Sequence, residues 1–261
     1  MAPLHEKTDY SIHTVEYAIE ILRLVAEEPH GTSLQHLADR LGISRNKAFR
    51  VAATLETHGL LERESDDSKR YIIGTTAIEF AQKILRATAL IRLAHPVLEE
   101  LAKKHGEAIY MTVLKGDDVM FLDMADCEQQ IKTVPLVGKR FPFFTNAAGK
   151  ALKAHDSRDL LERLFRRRGK RTDLPDLERL ESELAEIRTK GVAIDIGGLG
   201  EGIITVAVAV RDYAGKVVGA ITLLGPTFRL LTERIEGEII PSLREGAEVL
   251  SCKFGYAPMT A

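Results

Sequence analysis

The chain has 261 residues, 45% hydrophobic and 28% charged with no tryptophan, which is the composition of a globular protein with one large domain or two unequal ones. With 36 basic side chains against 38 acidic ones, its formal charge of −2 excludes a generic polyanion binder. An anionic partner has to be met by a local patch, because screening removes distant charges beyond about 8 Å. Cys127 and Cys252 fit no zinc or redox spacing, and no window approaches the roughly 18 apolar residues of a membrane span. The expectation is therefore a cytoplasmic protein with no metal, no cofactor and no membrane contact.

Residues 1–10 are expected to be a disordered head. From Ile12, the apolar positions Val15, Ile19, Leu22 and Val25 recur at helical spacing and stop near Pro29-His30-Gly31. Thr32-Ser33 offers an N-cap for a short second helix through Leu34, Leu37, Ala38 and Leu41, which ends at Gly42. Ile43-Ser44 opens a third, with Ala48, Val51, Ala52 and Leu55 as its apolar stripe. Leu60 to Arg63 and Arg70 to Ile73 then read as two strands around the polar tip Glu64 to Lys69. Three helices and a hairpin match the winged form of the helix-turn-helix, residues 11–74.

A helical pattern from Thr76 through Phe80, Ile84 and Ile91 reads as a linker helix, residues 75–95. A further one starts at Pro96 and breaks at His105-Gly106. Residues 96–257 form the second domain, with strands at Ile109 to Leu114, Val119 to Leu122 and Ile131 to Val134. Helices follow at Asn146 to Ala154, Ser157 to Arg167 and Leu177 to Lys190. Strands at Val192 to Ile196, Ile203 to Val210 and Val217 to Leu224 precede a final helix from Thr232 to Lys253. Hairpin-connected strands with helices between them predict an α+β class.

Between Asp39 and Glu56 there is no acidic residue, while Arg40, Arg45, Lys47 and Arg50 are all present. Ser44, Arg45, Asn46, Lys47, Arg50 and Thr54 fall opposite the apolar stripe, as on a recognition helix, with Lys69 and Arg70 in the wing. A solvated basic helix is the competing reading of that segment alone; the surrounding order of helix, turn, basic helix and hairpin favours double-stranded DNA. The denser run Arg163 to Arg171 lacks such a frame and reads as a solvated helix end before a second nucleic-acid contact.

The segment from Phe141 to Lys150 joins an aromatic cluster to a helix start with small residues. Free backbone N–H groups there suit a carboxylate or phosphate walled by Phe143; a buried aromatic hairpin under an N-capped helix explains the same residues. Gly149-Lys150-Ala151 falls short of a phosphate loop. The run Asp195 to Gly202 is a ligand-closing loop or an irregular connection. The 8 histidines form no HExxH pair, and no nucleophile elbow or paired carboxylates stand out, so no catalytic residue is assigned. A small-molecule enzyme with an N-terminal interaction module remains the alternative.

Three segments carry a resemblance. Leu34 to Gly42 precedes the basic helix, Val137-Gly138-Lys139-Arg140 leads into Ala147-Ala148-Gly149-Lys150-Ala151-Leu152, and Val217-Val218-Gly219-Ala220-Ile221 runs towards Gly225-Pro226. Together they resemble the IclR family of bacterial transcriptional regulators, from about residue 11 to Tyr256. The resemblance implies a winged helix-turn-helix, a linker helix used in dimerisation, and a GAF-like domain that binds a small, often carboxylate-bearing effector. It also implies homodimers that commonly pair into tetramers. Carried over, the effector positions fall on Ala147 and Ala148 through their amides, Asp195, Thr205, Thr222 and Leu224. The sequence departs from the pattern at three places. Leu224 stands where Ser is frequent and Gly197-Gly198 replaces an acidic pair, both implying an effector less polar than a two- or three-carbon acid. Tyr17 stands where Arg is frequent in the first helix.

Overall fold

The computed structural model describes residues 11–65, 69–87, 89–155, 161–162 and 175–257. Two compact units divide the chain, Met1–Ala87 and Thr88–Ala261. The division falls inside the expected linker, residues 75–95. The expected disordered head and the basic run from Arg163 lie outside the described residues, as does most of the expected helix Ser157 to Arg167.

In the first unit, α1 (His13–Ala26), α2 (Leu34–Leu41) and α3 (Arg45–Thr57) pack around Ile21, Val25, Leu37, Val51, Ala52 and Leu55. The Ser33 hydroxyl accepts the His36 N–H and starts α2, and Gly42 ends it in the left-handed region at φ 63°. The Ser44 hydroxyl accepts the Lys47 N–H and starts α3. Thr32–Ser33 has a second role that its capping chemistry hides. It forms β1 and pairs with β3 (Arg70–Ile73), which also pairs with β2 (Leu61–Arg63), so the wing is a three-stranded antiparallel sheet in the order β1-β3-β2. Tyr71 of β3 is buried in the core, with Arg63 stacked over its ring at 4.1 Å. The helix α4 (Thr75–Ala87) closes this unit.

The second unit begins with α5 (Ala89–His105), which carries Pro96 inside it, whereas the sequence reading starts a helix at that proline. Around a six-stranded antiparallel sheet lie β4 (Ala108–Lys115), β5 (Asp118–Ala125), β6 (Arg140–Pro142), α6 (Ala147–Lys153), α7 (Leu177–Lys190), β7 (Ala193–Ile196), β8 (Ile203–Arg211) and β9 (Val217–Pro226). The spatial order is β6-β5-β4-β9-β8-β7. A short α8 (Thr232–Arg234) passes through a π-helical turn, Ile235–Ile239, into α9 (Ile240–Lys253).

Successive strand residues point to opposite faces. Ile109, Met111, Val206, Ile221 and Leu223 pack on α5 and α9 residues such as Leu98, Leu101, Leu243 and Leu250. Tyr110, Phe121, Ala207, Ala220 and Leu224 pack on Ala147, Ala148 and Ala151 of α6 and on Leu180 and Leu184 of α7. Ile131 to Val134 is not a strand. Ile131 and Val134 are 67% and 71% exposed, and the edge beside β5 is taken by β6, with Phe141 opposite Val119. Alternating β-branched residues make a strand only where an edge is open to pair with them, and this edge is filled.

Candidate functional site

On α3, the buried residues are Ala48, Val51, Ala52 and Leu55, while Ser44, Arg45, Asn46, Lys47, Arg50 and Thr54 are exposed on the other side. The expected reading face is thus real as a surface. A groove of about 620 Å³ between α1 and α3 is lined by Ser44, Asn46, Lys47, Arg50 and Thr54. Lys47 lies over the Tyr17 ring, its Nζ 4.3 Å from the centroid. Tyr17 therefore holds a cation against the groove from α1 instead of supplying one. Thr54 donates its hydroxyl to the Arg50 carbonyl at 2.8 Å.

In the wing, Lys69 and Arg70 are both exposed, and the Arg70 guanidinium also donates to the Gly31 carbonyl at 3.0 and 3.2 Å and ties β3 to the loop after α1. Phe49 went unmarked in the sequence. It is 48% exposed on α3 between the basic positions, and its signal was an aromatic side chain off the apolar stripe inside the acid-free run.

In the second unit, strand register brings the effector positions together. Asp195 stands opposite Thr205 and Thr205 opposite Leu224; Thr222 stands opposite Tyr110 on β4. These two rows share the face that α6 covers. Thr205, Thr222, Leu224, Phe143, Ala147 and Ala148 are all buried. The Thr205 hydroxyl accepts the Ala147 N–H at 3.2 Å, and the Asn146 side chain accepts the Gly149 N–H at 3.1 Å. Thr112 donates to the Ala220 carbonyl at 3.1 Å, which makes Thr222 the donor in its 3.3 Å contact with Thr112.

Asp195 is engaged at both oxygens. Its Oδ2 accepts from Lys150 Nζ at 2.7 Å and its Oδ1 from the Gly198 N–H at 3.0 Å. Lys150 also donates to Glu183 at 2.8 Å, and only 8% of its side chain is exposed. Burial works against its charge, but the hydrogen bonds it donates to Asp195 and Glu183, with their negative charges, outweigh burial and hold the ammonium pKa above its ordinary value. Lys150 was visible in the sequence only as a failed phosphate loop; its pairing with Asp195, 45 positions away, depends on how α6 crosses β7.

Two glycines clamp the turn Phe143–Thr145. A Cβ on Gly149 would meet the Phe143 carbonyl oxygen at 2.1 Å, and one on Gly198 would meet the Thr145 carbonyl oxygen at 1.7 Å. The loop after Asp195 thus lies directly on this turn, and Leu199 packs on the same apolar cluster. A separate cavity of about 300 Å³ lies away from these residues, lined by Arg211, Arg244, Glu248 and Ser251. Among the described residues, no group of three His, Cys, Asp or Glu is placed to hold a metal, and no helix is long and apolar enough to cross a membrane.

Residues 14–65 match the IclR helix-turn-helix domain, and residues 82–252 match the bacterial transcriptional regulator IclR C-terminal domain. The HTH-type transcriptional regulator BhcR of Paracoccus denitrificans is 32% identical over 251 residues, 95% of this chain and 88% of its own length. Among solved structures, an IclR transcriptional regulator from Alicyclobacillus acidocaldarius matches with a TM-score of 0.81 and 26% identity, covering 93% of this chain and 99% of that one. An IclR homolog from Microbacterium hydrocarbonoxydans, complexed with 4-hydroxybenzoate, matches with a TM-score of 0.77 and 22% identity over 93% and 99% of the two chains. A helix-turn-helix joined to an effector-type α+β domain, matched over both parts, places the chain in the IclR family of bacterial transcriptional regulators.

Proposed function

We propose that this regulator reads double-stranded operator DNA with α3 and the wing, as a homodimer or tetramer, and that a small carboxylate-bearing metabolite on the α6 face of the sheet changes its operator affinity. The observation that carries the reading is the exposed, acid-free face of α3. Its cations suit phosphates, and Asn46, Arg50 and Thr54 suit base edges. Phe49 adds an apolar contact of the kind a thymine methyl takes.

Three observations support the effector half. The Ala147 and Ala148 N–H groups begin α6 on the same face as Thr205 and Thr222. Lys150 pairs with Asp195, so the carboxylate nearest the α6 start has a cation beside it. The Microbacterium relative is complexed with an aromatic acid, and the apolar Leu224 and Phe143 suit such a body here. For self-association, Ile12 at the N-cap of α1 and Val15 and Ile19 within it are exposed, and Ile78 and Phe80 are exposed on α4; a solvated monomer rarely presents so much apolar surface. Bound ligand acts by favouring one of two arrangements of the reader, so its affinity for the two must differ.

The test is operator binding by fluorescence anisotropy on DNA from the protein's own upstream region, repeated across salt concentrations. Arg50→Ala is expected to weaken binding about ten-fold and to reduce the slope of log affinity against log salt by about one. Unchanged affinity and slope would remove α3 from the interface.

A further inference from the structure

β7 ends the sheet beside β8 and pairs with it only from Ile204 to Ala207. From Val208 to Arg211, β8 therefore runs on with no strand on that side among the described residues. The separate cavity of about 300 Å³ lies along this open edge, between the ends of α6 and α7 on one side and α9 on the other. Ala151, Ala154, Ala209 and Ala247 border it with side chains too short to fill it. Thr205, Thr222, Leu224 and Asp195 take no part in its lining.

Two guanidinium groups organise the polar side of the cavity. Arg244, Ala247, Glu248 and Ser251 follow helical spacing and share one face of α9. The Ser251 hydroxyl accepts the Arg211 N–H at 3.0 Å and so fixes where the end of β8 meets the helix. The Arg211 guanidinium donates to the Gly215 carbonyl at 2.9 Å and to His155 Nε2 at 2.6 Å. A guanidinium has only donors, so that ring nitrogen accepts and His155 adds no charge. An exposed helix arginine commonly pairs with a glutamate one turn along, but Arg244 makes no ion pair with Glu248 among the described residues. It donates instead to the Lys190 carbonyl at 2.5 Å, its one hydrogen bond among those residues, and most of its planar fork is left over.

Two guanidinium groups against the single carboxylate of Glu248 give the lining a net positive charge over an apolar floor, and that combination suits an organic oxyanion. The volume is at the small end of ligand pockets and equals the bulk of about ten water molecules. We propose that this edge cavity is a second small-molecule site, separate from the α6-covered effector face, and that it takes a compact organic oxyanion. The carboxylate or phosphate of the ligand pairs with Arg244 in the field of Arg211, and its apolar body lies on Ala151, Ala154 and Ala247. A ligand there bridges α6, β8 and α9. The proposal does not rest on the effector reading.

Isothermal titration calorimetry on the full-length protein tests it with pentanoate, its uncharged analogue pentanamide, and inorganic phosphate. Pentanoate is expected to bind about ten-fold more tightly than either of the others, since pentanamide lacks the charge and phosphate lacks the apolar body. Arg244→Met is expected to weaken pentanoate about ten-fold, and Glu248→Gln to tighten it about two- to three-fold by removing the opposing charge. Both positions are exposed on α9, and the unfolding midpoint is the control for each. If Arg244→Met lowers that midpoint, Glu248→Gln decides by the sign of its effect. Pentanoate binding that Asp195→Asn changes and Arg244→Met does not belongs to the effector face and overturns the second site. Equal affinity for pentanoate and pentanamide, phosphate binding as tight as pentanoate, weaker pentanoate binding in Glu248→Gln, or no pentanoate binding each overturns the proposal as well.

Discussion

The α3 face and the α6-covered sheet face use similar polar side chains in opposite ways. On α3, Arg45, Asn46, Lys47 and Arg50 stand in solvent, and Lys47 is steadied only by the Tyr17 ring. On the α6-covered face, Thr205 accepts from the α6 backbone, Thr222 meets Thr112, and Asp195 pairs with Lys150 of α6. An outward face keeps its donors available for phosphates and bases, and depends little on its neighbours to stay folded. An inward face is stable only because each charge has its partner, so anything that displaces one partner is transmitted to the elements that partner holds.

The largest expected consequence follows from that second statement. Lys150→Met leaves Asp195 and Glu183 without their shared cation. The second unit should lose about 3 kcal/mol, the low end for breaking a buried pair because the Glu183 side chain keeps 37% of its exposure. Urea unfolding measures it. A loss below about 0.5 kcal/mol, the scale of an exposed pair, would erase the contrast between the two faces.

On the outward face, effects should be smaller and confined to binding. Tyr17→Leu removes the ring beneath Lys47, and a cation–π contact at an exposed site is worth about 0.5–1 kcal/mol. Operator affinity should fall about two- to five-fold with unfolding unchanged, whereas Tyr17→Phe should retain it. Equal behaviour of the two variants in anisotropy would mean that the ring does not position Lys47.

The same contrast explains what was legible in the sequence. The α3 face is written along one helix, so the acid-free stretch from Arg40 to Leu55 and the stripe Ala48, Val51, Ala52, Leu55 were enough to find it. What that stretch does not show is the Arg70 bond to Gly31, which crosses 39 residues. The sheet face is assembled from β4, β7, β8, β9 and α6. Its members Ala147, Asp195, Thr205 and Thr222 came from family resemblance and not from periodicity. Lys150 stood out without a role, because only the path of α6 shows that it meets Asp195. The strand expected at Ile131 to Val134 failed for a similar reason, since the alternation was present and the open edge was not.

The smallest expected effect concerns acid stability of the inward-facing unit. His105 is 5% exposed, and burial lowers its pKa, aided by the nearby positive charges of Lys104 and Arg234 and opposed by Glu238. The folded state then favours the neutral ring. Its contribution to stability is fully present above the ordinary histidine value near 6.5 and is lost as pH falls below it. His105→Gln should flatten the drop in unfolding midpoint between about pH 7.5 and about pH 5.5; an unchanged drop would assign it to other groups.

The central claim is that a ligand on the inward face governs the outward one within a single molecule. Operator anisotropy in the presence of pyruvate, benzoate or 4-hydroxybenzoate tests it most directly, in wild type and in Asp195→Asn, which keeps the side-chain shape and removes its charge and one of its two acceptor oxygens. At least one acid should shift wild-type operator affinity about five-fold or more, and Asp195→Asn should bind the operator normally without responding. An operator affinity that none of the acids moves, or a variant that responds like wild type, would contradict the account.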